Sequence, residues 1–260
     1  MSPGEFWPAS GGIAAQSPKQ YGSMSFDRLA PHYRWMEIVL AGEKLQSCRT
    51  AFLGEIRGAE RVLILGEGNG RFLLECRKVL GSAHITCVDS SRRMIELARC
   101  RLSRNGVSEE NIEFIHADAL IWEPPARSFD ALATHFFLDC FQPKPLTSLL
   151  ERLGNACGHG AKWLLADFQI PARGLRRLRA RLIHRSMYCF FGVATRLQAR
   201  RLTDPDPCLQ SLGFTLQRRL TADWGLLRSD LWQLTGNVPP RSMARSGTDS
   251  TRASLALIQS

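Results

Sequence analysis

Five short apolar runs, Val62–Leu65, Ile85–Val88, Ile112–Ile115, Phe129–Thr134 and Trp163–Ala166, each give way to a helix-length interval, and this alternation restricts the fold more than any other feature of the chain. A strand apolar along its whole length is buried on both faces, and parallel strands need a crossover of about a dozen residues. The intervals supply one, because Phe72–Leu80, Arg92–Leu102 and Leu146–Ala156 carry apolar residues at helical spacing. The pattern predicts a parallel sheet covered by helices on both faces. Two further runs, Phe214–Leu220 and Ser229–Leu234, are joined by a connection too short for a parallel crossover, so they should form an antiparallel hairpin. In such sheets the ligand lies at the carboxyl ends of the strands, near the point where strand order reverses.

The rest of the chain frames this body. Residues 1–24 and 236–260 are rich in Pro, Gly, Ser and Ala without a period and read as flexible tails, leaving 25–235 as one domain. Tyr33, Met36, Ile38, Leu40, Leu45, Phe52 and Leu53 recur at helical spacing and predict two helices ahead of the first strand. No basic-then-apolar leader and no apolar stretch of bilayer length is present, so the expected location is the cytoplasm. Eight scattered cysteines with no zinc-finger spacing read as buried thiols, and no metal site is expected.

Within the body, RVLILGEGNGRFLLE runs a buried strand straight into Gly66, Glu67, Gly68, Asn69 and Gly70 and then into a helix. Glycines permit positive φ and close approach of a ligand to the backbone, while the helix start offers unpaired amides. Arg71 stands where a dinucleotide fingerprint needs its last glycine, and no phosphate loop occurs in the chain. The second strand ends in Asp89, roughly the twenty-residue offset at which a carboxylate reaches ribose hydroxyls. The third leads to Asp118 and Ala119. Three successive strand ends thus describe a nucleoside pocket without a phosphate requirement.

ILGEGNGRF, VDSSRRMIELAR, IHADAL, FDALATHFFLD and LLADF together resemble the successive motifs of class I S-adenosylmethionine-dependent methyltransferases, over about residues 26–235 and closest to the small-molecule type. The resemblance implies an α/β, Rossmann-like, doubly wound, mostly parallel seven-stranded sheet with an antiparallel last strand, and S-adenosyl-L-methionine as cofactor. It implies that Gly66, Glu67, Gly68 and Gly70 lie along the amino-acid portion of that cofactor. Asp89 with Ser90 would hold the ribose, Met94 the adenine face, and Asp118 with Ala119 the adenine edge; Thr134 and Tyr33 complete the set. Leu65 departs from the carboxylate common before the turn.

Methyl transfer from a sulfonium needs the acceptor positioned and, where it carries a proton, deprotonated. The fourth strand ends at His135 and then Asp139, the two candidate catalytic residues. A histidine at a strand end also serves commonly as a hydrogen-bonded structural group, and an aspartate there as a helix cap. The chain's net charge of +10 is concentrated in an insertion at 172–203, where Arg173, Arg176, Arg177, Arg179, Arg181, Arg185, Arg196, Arg200 and Arg201 have no acid among them. Leu175, Leu178, Leu182, Met187, Phe190, Phe191, Ala194 and Leu197 fall near one face of it. It reads as a basic amphipathic lid, with peripheral contact to an anionic membrane through 173–201 as a further role and nucleic acid disfavoured. The expected activity is methyl transfer to a small, apolar or aromatic acceptor. The alternatives are an RNA or protein methyltransferase and a non-catalytic cofactor-binding module of the same fold.

Overall fold

The computed structural model describes residues 42–171, 173–195 and 202–236. Tyr33, the first of the two early helices and nearly all of both expected tails lie outside the described residues. The chain runs α1 (Gly42–Thr50), a 3-10 turn (Leu53–Ile56), β1 (Arg61–Leu65), α2 (Arg71–Leu80), β2 (His84–Asp89), α3 (Arg92–Arg104) and β3 (Ile112–His116). It continues through β4 (Phe129–His135), α4 (Pro143–Ala156), β5 (Cys157–Phe168), α5 (Gly174–Thr195), α6 (Asp206–Ser211), β6 (Phe214–Ala222) and β7 (Leu227–Leu234). All seven strands form one sheet in the order β3-β2-β1-β4-β5-β7-β6.

β1 pairs in parallel with β2 on one side and with β4 on the other, so strand order reverses at β1. The register sets Leu65 beside both Val88 and Thr134, which brings the carboxyl ends of β1, β2 and β4 level. β7 is the reversed strand, antiparallel to β5 and β6, and although last in sequence it is not at the edge. The long connection after β5 carries β6 one position beyond its neighbour, and the hairpin return fills the gap. β7 is accordingly buried almost throughout, whereas β6 forms a mostly exposed edge carrying Arg218 and Arg219. Charged side chains on an open edge discourage pairing with other chains.

Side chains alternate across a strand, and the two faces bury separate cores. Leu63, Leu65, Leu132, Trp163, Leu165 and Trp232 pack under α4. Val62, Ile64, Ile85, Cys87, Ala131 and Ala133 pack under α2 and α3. A third cluster at the carboxyl ends joins Leu45 and Cys48 of α1 to Phe168, Ala180 of α5 and Leu227. Most of the described cysteines fit the buried-thiol expectation at least in part, but Cys100 is exposed because it falls on the outer face of α3.

Candidate active site

The turn after β1 is built by its glycines. Gly66, Gly68 and Gly70 take φ of 63°, 69° and 81°, the left-handed region that side chains avoid. Two of them also have no room for a side chain. A Cβ on Gly70 would sit 2.7 Å from the Ala98 backbone, and one on Gly66 would run into the Phe137 ring. α3 ties the turn down from outside, with Arg101 Nε donating to the Asn69 carbonyl at 2.7 Å.

Gly70 caps α2 without a side chain, so the first amides of that helix need another acceptor. Glu67 provides it: its Oε1 accepts from Phe72 N at 2.9 Å and Leu73 N at 3.0 Å. The resemblance implied a place along the ligand for Glu67, but its carboxylate turns back onto its own helix, where negative charge is favoured. Burial nevertheless pushes its pKa up to about 7, against the pull of those amides and of the Arg49 charge.

Asp89 clasps the turn from β2. Its Oδ2 accepts from Gly68 N at 3.1 Å and its Oδ1 from Ser91 N at 2.9 Å. Ser91 in turn caps α3, accepting from Met94 N at 3.2 Å, which seats the buried Met94 beside the same turn. Ser90 offers its carbonyl to the His116 ring at 3.0 Å. Asp118, exposed beyond β3, accepts from Leu120 N at 2.9 Å, and the carbonyl of buried Ala119 accepts from Arg152 at 2.8 Å. The end of β2 is tied to that of β1 through the Gly68–Asp89 bond and to that of β3 through Ala117 N, which donates to the Asp89 carbonyl at 3.1 Å. Thr134 does not join them: its side chain points to the α4 face, where its hydroxyl accepts from Trp163 Nε1 at 2.9 Å.

His135, one residue on, points to the opposite face. Its ring stands edge-on to Phe72 with centroids 4.3 Å apart. Burial first, and the nearby Arg49 charge second, push its pKa down to about 3, so it is neutral at ordinary pH. Beyond it the chain turns sharply at Phe136, held at φ 53° and donating to the Ala166 carbonyl at 2.7 Å. A bulky residue in that region is strained, a condition that clusters at functional sites. Arg49 of α1 lies over the Phe136 ring at 5.3 Å.

Asp139 follows on a 3-10 turn, and burial raises its pKa to about 6. Its neighbour is Asp167 near the end of β5, a buried carboxyl whose oxygen accepts from Phe168 N at 2.8 Å and which also accepts from the Asp139 backbone. Burial and the Asp139 charge hold Asp167 well above the ordinary carboxylate range, against the pull of Arg228 opposite it on β7. The Cys140 thiol donates to Asp139 Oδ1 at 3.6 Å. Sequence reading missed both Asp167 and Arg49. An acid closing the apolar LLADF run was a visible signal for Asp167, whereas nothing local marks Arg49.

Residues 62–160 match the family model described as a methyltransferase domain. A demethylmenaquinone methyltransferase of Clavibacter sepedonicus is 27% identical over 160 residues, covering 60% of this chain and 61% of that protein. The chain thus spans about three fifths of the length of that curated relative. Among solved structures, a mitomycin 7-O-methyltransferase superposes with a TM-score of 0.60 at 17% identity, over 81% of this chain and 60% of that one. The 1,6-didemethyltoxoflavin-N1-methyltransferase of Burkholderia thailandensis, solved with bound 1,6-didemethyltoxoflavin and S-adenosylhomocysteine, gives 0.56 at 16% identity over 81% and 88%. At these identities the superpositions establish the fold. The family match covers the glycine turn and the strands from β1 to the start of β5, so this stretch of the chain is similar to a methyltransferase domain and carries the same sheet order as the superposed structures' fold.

Proposed function

We propose that this chain binds S-adenosyl-L-methionine at the ends of β1, β2 and β3 and transfers its methyl group to a small apolar or aromatic acceptor at the ends of β4 and β5. The observation that carries the reading is the clasp between Gly68 N and Asp89 Oδ2 at 3.1 Å. It draws a turn of three positive-φ glycines against a carboxylate, the donor and acceptor set that suits an amino-acid group and a ribose. The residues fit the cofactor: Asp89 and Asp118 are hydroxyl and amine acceptors, and Met94 is an apolar surface for a ring.

When bound, the cofactor supplies a sulfonium methyl group already activated for in-line displacement. The protein has to orient the acceptor, exclude water and take up a proton. Phe136 packs at a tilt on Phe168 with centroids 5.1 Å apart, and Phe137 meets Phe141 edge-on at 5.0 Å, so these strand ends are lined by aromatic rings. Such walls favour an apolar or aromatic acceptor. Asp139 receives the acceptor's proton as the new bond to the methyl carbon forms. Its pKa of about 6 lies near neutrality, where a general base is most effective, while His135 at about 3 is too weakly basic for the task. Asp167 is the positioning residue: it holds the Asp139 backbone, and the two buried carboxyls titrate as a pair, the Asp139 charge raising Asp167.

Calorimetric titration with S-adenosyl-L-methionine and S-adenosylhomocysteine tests the binding half, and transfer of a labelled methyl group to a panel of phenols, quinols and heteroaromatic amines tests the second. Saturable binding of both ligands with label on one acceptor class is the expected result. Binding without transfer to any class, or transfer to RNA or protein instead, overturns the acceptor assignment; no binding overturns the whole reading.

A further inference from the structure

The described part of α5 is divided into a face that the protein uses and a face that it leaves in water. Ala180, at 1% exposure, and His184, at 4%, are buried against the domain, with Ile183 half-buried between them. The His184 ring meets Phe168 edge-on at 5.7 Å. The leucines expected to supply that packing are instead exposed: Leu175 by 84%, Leu178 by 57% and Leu182 by 58%. At about 100° per residue these three fall within an arc of about 60°, centred about 160° from the packed face. Arg181 and Arg185 flank the arc on one side and Arg179 on the other.

A second element extends this surface. Arg179 donates to Asp223 Oδ2 at 3.0 Å and Lys44 of α1 to Asp223 Oδ1 at 3.2 Å, which fixes the Asp223–Gly225 turn beside the helix. The next residue, Trp224, is 70% exposed, and both it and Asp223 are held at positive φ, 60° and 48°. The positive φ at Asp223 closes the hairpin and sets its carboxylate between Arg179 and Lys44, and the same turn holds the Trp224 indole out in water. The patch thus combines a leucine stripe, an outward tryptophan and bordering arginines, of which Arg179 is paired with Asp223.

We propose that α5 and the Trp224 turn form a membrane-docking surface, on which Leu175, Leu178, Leu182 and Trp224 enter the interfacial layer of an anionic bilayer while the flanking arginines meet its headgroups. Charge complementarity names the occupant, since the described residues 173–195 carry six arginines and no acid. An exposed leucine stripe with a basic border is suited to an interfacial layer, and tryptophan favours the same layer. No helix among the described residues is long and apolar enough to cross a membrane, which agrees with a helix that lies on it. The proposal does not depend on methyl transfer.

Sedimentation of the full chain with vesicles tests it. Binding is expected to vesicles of phosphatidylcholine mixed with phosphatidylglycerol, weakening as salt rises, and to be far weaker with phosphatidylcholine alone. The variant Leu175→Ser/Leu178→Ser/Leu182→Ser should bind at least about tenfold less, and Arg176→Gln/Arg177→Gln/Arg181→Gln/Arg185→Gln should lose the salt-sensitive part. Both variants should keep the fold, read by far-ultraviolet circular dichroism, because none of these side chains is buried. Failure of the wild-type chain to bind anionic vesicles at low salt overturns the proposal. So does equal binding by the leucine variant, which would reduce the contact to adsorption by charge. A wild-type chain that ignores vesicles but binds RNA with the same salt dependence, or whose dimer the leucine substitutions dissolve, also overturns it in favour of those partners.

Discussion

The two halves of the candidate site handle acidic groups in opposite ways. At the ends of β1, β2 and β3, each carboxylate is committed to backbone amides: Glu67 to Phe72 and Leu73, Asp89 to Gly68 and Ser91, Asp118 to Leu120. At the ends of β4 and β5, Asp139 and Asp167 are set against each other and His135 against an aromatic ring, all three far from their ordinary titration ranges. Amide-bound acids fix a shape, as a pocket that must recognise one ligand requires. Buried, mutually repelling acids fix little but move protons near neutrality, as a reaction site requires. The boundary between them is the switch point between β1 and β4, where the sheet sets Leu65 beside Thr134.

The largest effect should come from the proton-handling half. Asp139→Asn keeps the shape but removes the base, and loss of general-base catalysis lowers kcat by about 10²–10⁴-fold. Affinity for S-adenosylhomocysteine should stay within about twofold, since that ligand is assigned to the other half. In the wild type, kcat should rise with pH through about 6 and level above it. A pH-independent rate, or a variant with unimpaired kcat, would remove Asp139 from the chemistry. The next largest effect belongs to the shape-fixing half. Gly70→Ala places a methyl group 2.7 Å from the Ala98 backbone at a φ of 81°. Strain and overpacking together should destabilise the protein by about 3 kcal/mol. Melting temperatures read this directly, and a variant as stable as the wild type would mean that the Ala98 backbone yields to the added methyl group.

The contrast also explains what the sequence disclosed. The shape-fixing half is made of contiguous turns, so Gly66, Gly68, Gly70, Asp89 and Asp118 announce themselves through local spacing, as do the strands that carry them. The proton-handling half depends on which chains meet. Asp167 reaches Asp139 only because β5 lies beside β4, and Arg49 acts on Glu67 and His135 from a helix that no spacing ties to them. Thr134 and His135 are neighbours in sequence, but strand alternation sends one to Trp163 and the other to Phe72. Glu67 looked like part of the ligand's path because helix capping and ligand binding draw on the same residue types at the same turn. The leucines of α5 misled for a related reason, since a periodic apolar stripe does not say whether protein or another surface covers it.

Asp89→Ala should have an intermediate effect on both readouts at once. Charge-assisted hydrogen bonds contribute about 1.5–3 kcal/mol each, so affinity for S-adenosylhomocysteine should fall at least about tenfold. Because the same carboxylate clasps Gly68 and Ser91, the unliganded protein should also lose about 1–2 kcal/mol. Full affinity in a folded variant would break the assignment of Asp89 to the pocket.

The smallest effect per step is one of pH, and its sign separates the halves. Glu67 has its folded pKa raised from 4.5 to about 7, so it takes up protons more readily folded than unfolded, and its contribution to stability falls as pH rises through that window. His135 runs the other way. Its folded pKa is lowered from 6.5 to about 3, so its contribution is fully present above 6.5 and is lost as pH falls, by about 1.4 kcal/mol per pH unit. The two terms overlap between pH 4.5 and 6.5, so the wild-type profile alone cannot separate them. The difference between the wild type and His135→Asn does, because the Glu67 term is common to both proteins. Denaturant titrations at several pH values should show the cost of that substitution shrinking steadily as pH falls from 6.5 towards 4. A cost that stays constant over this range would mean that the ring titrates alike in the folded and unfolded chains, and that the packing of His135 against Phe72 does not exclude water.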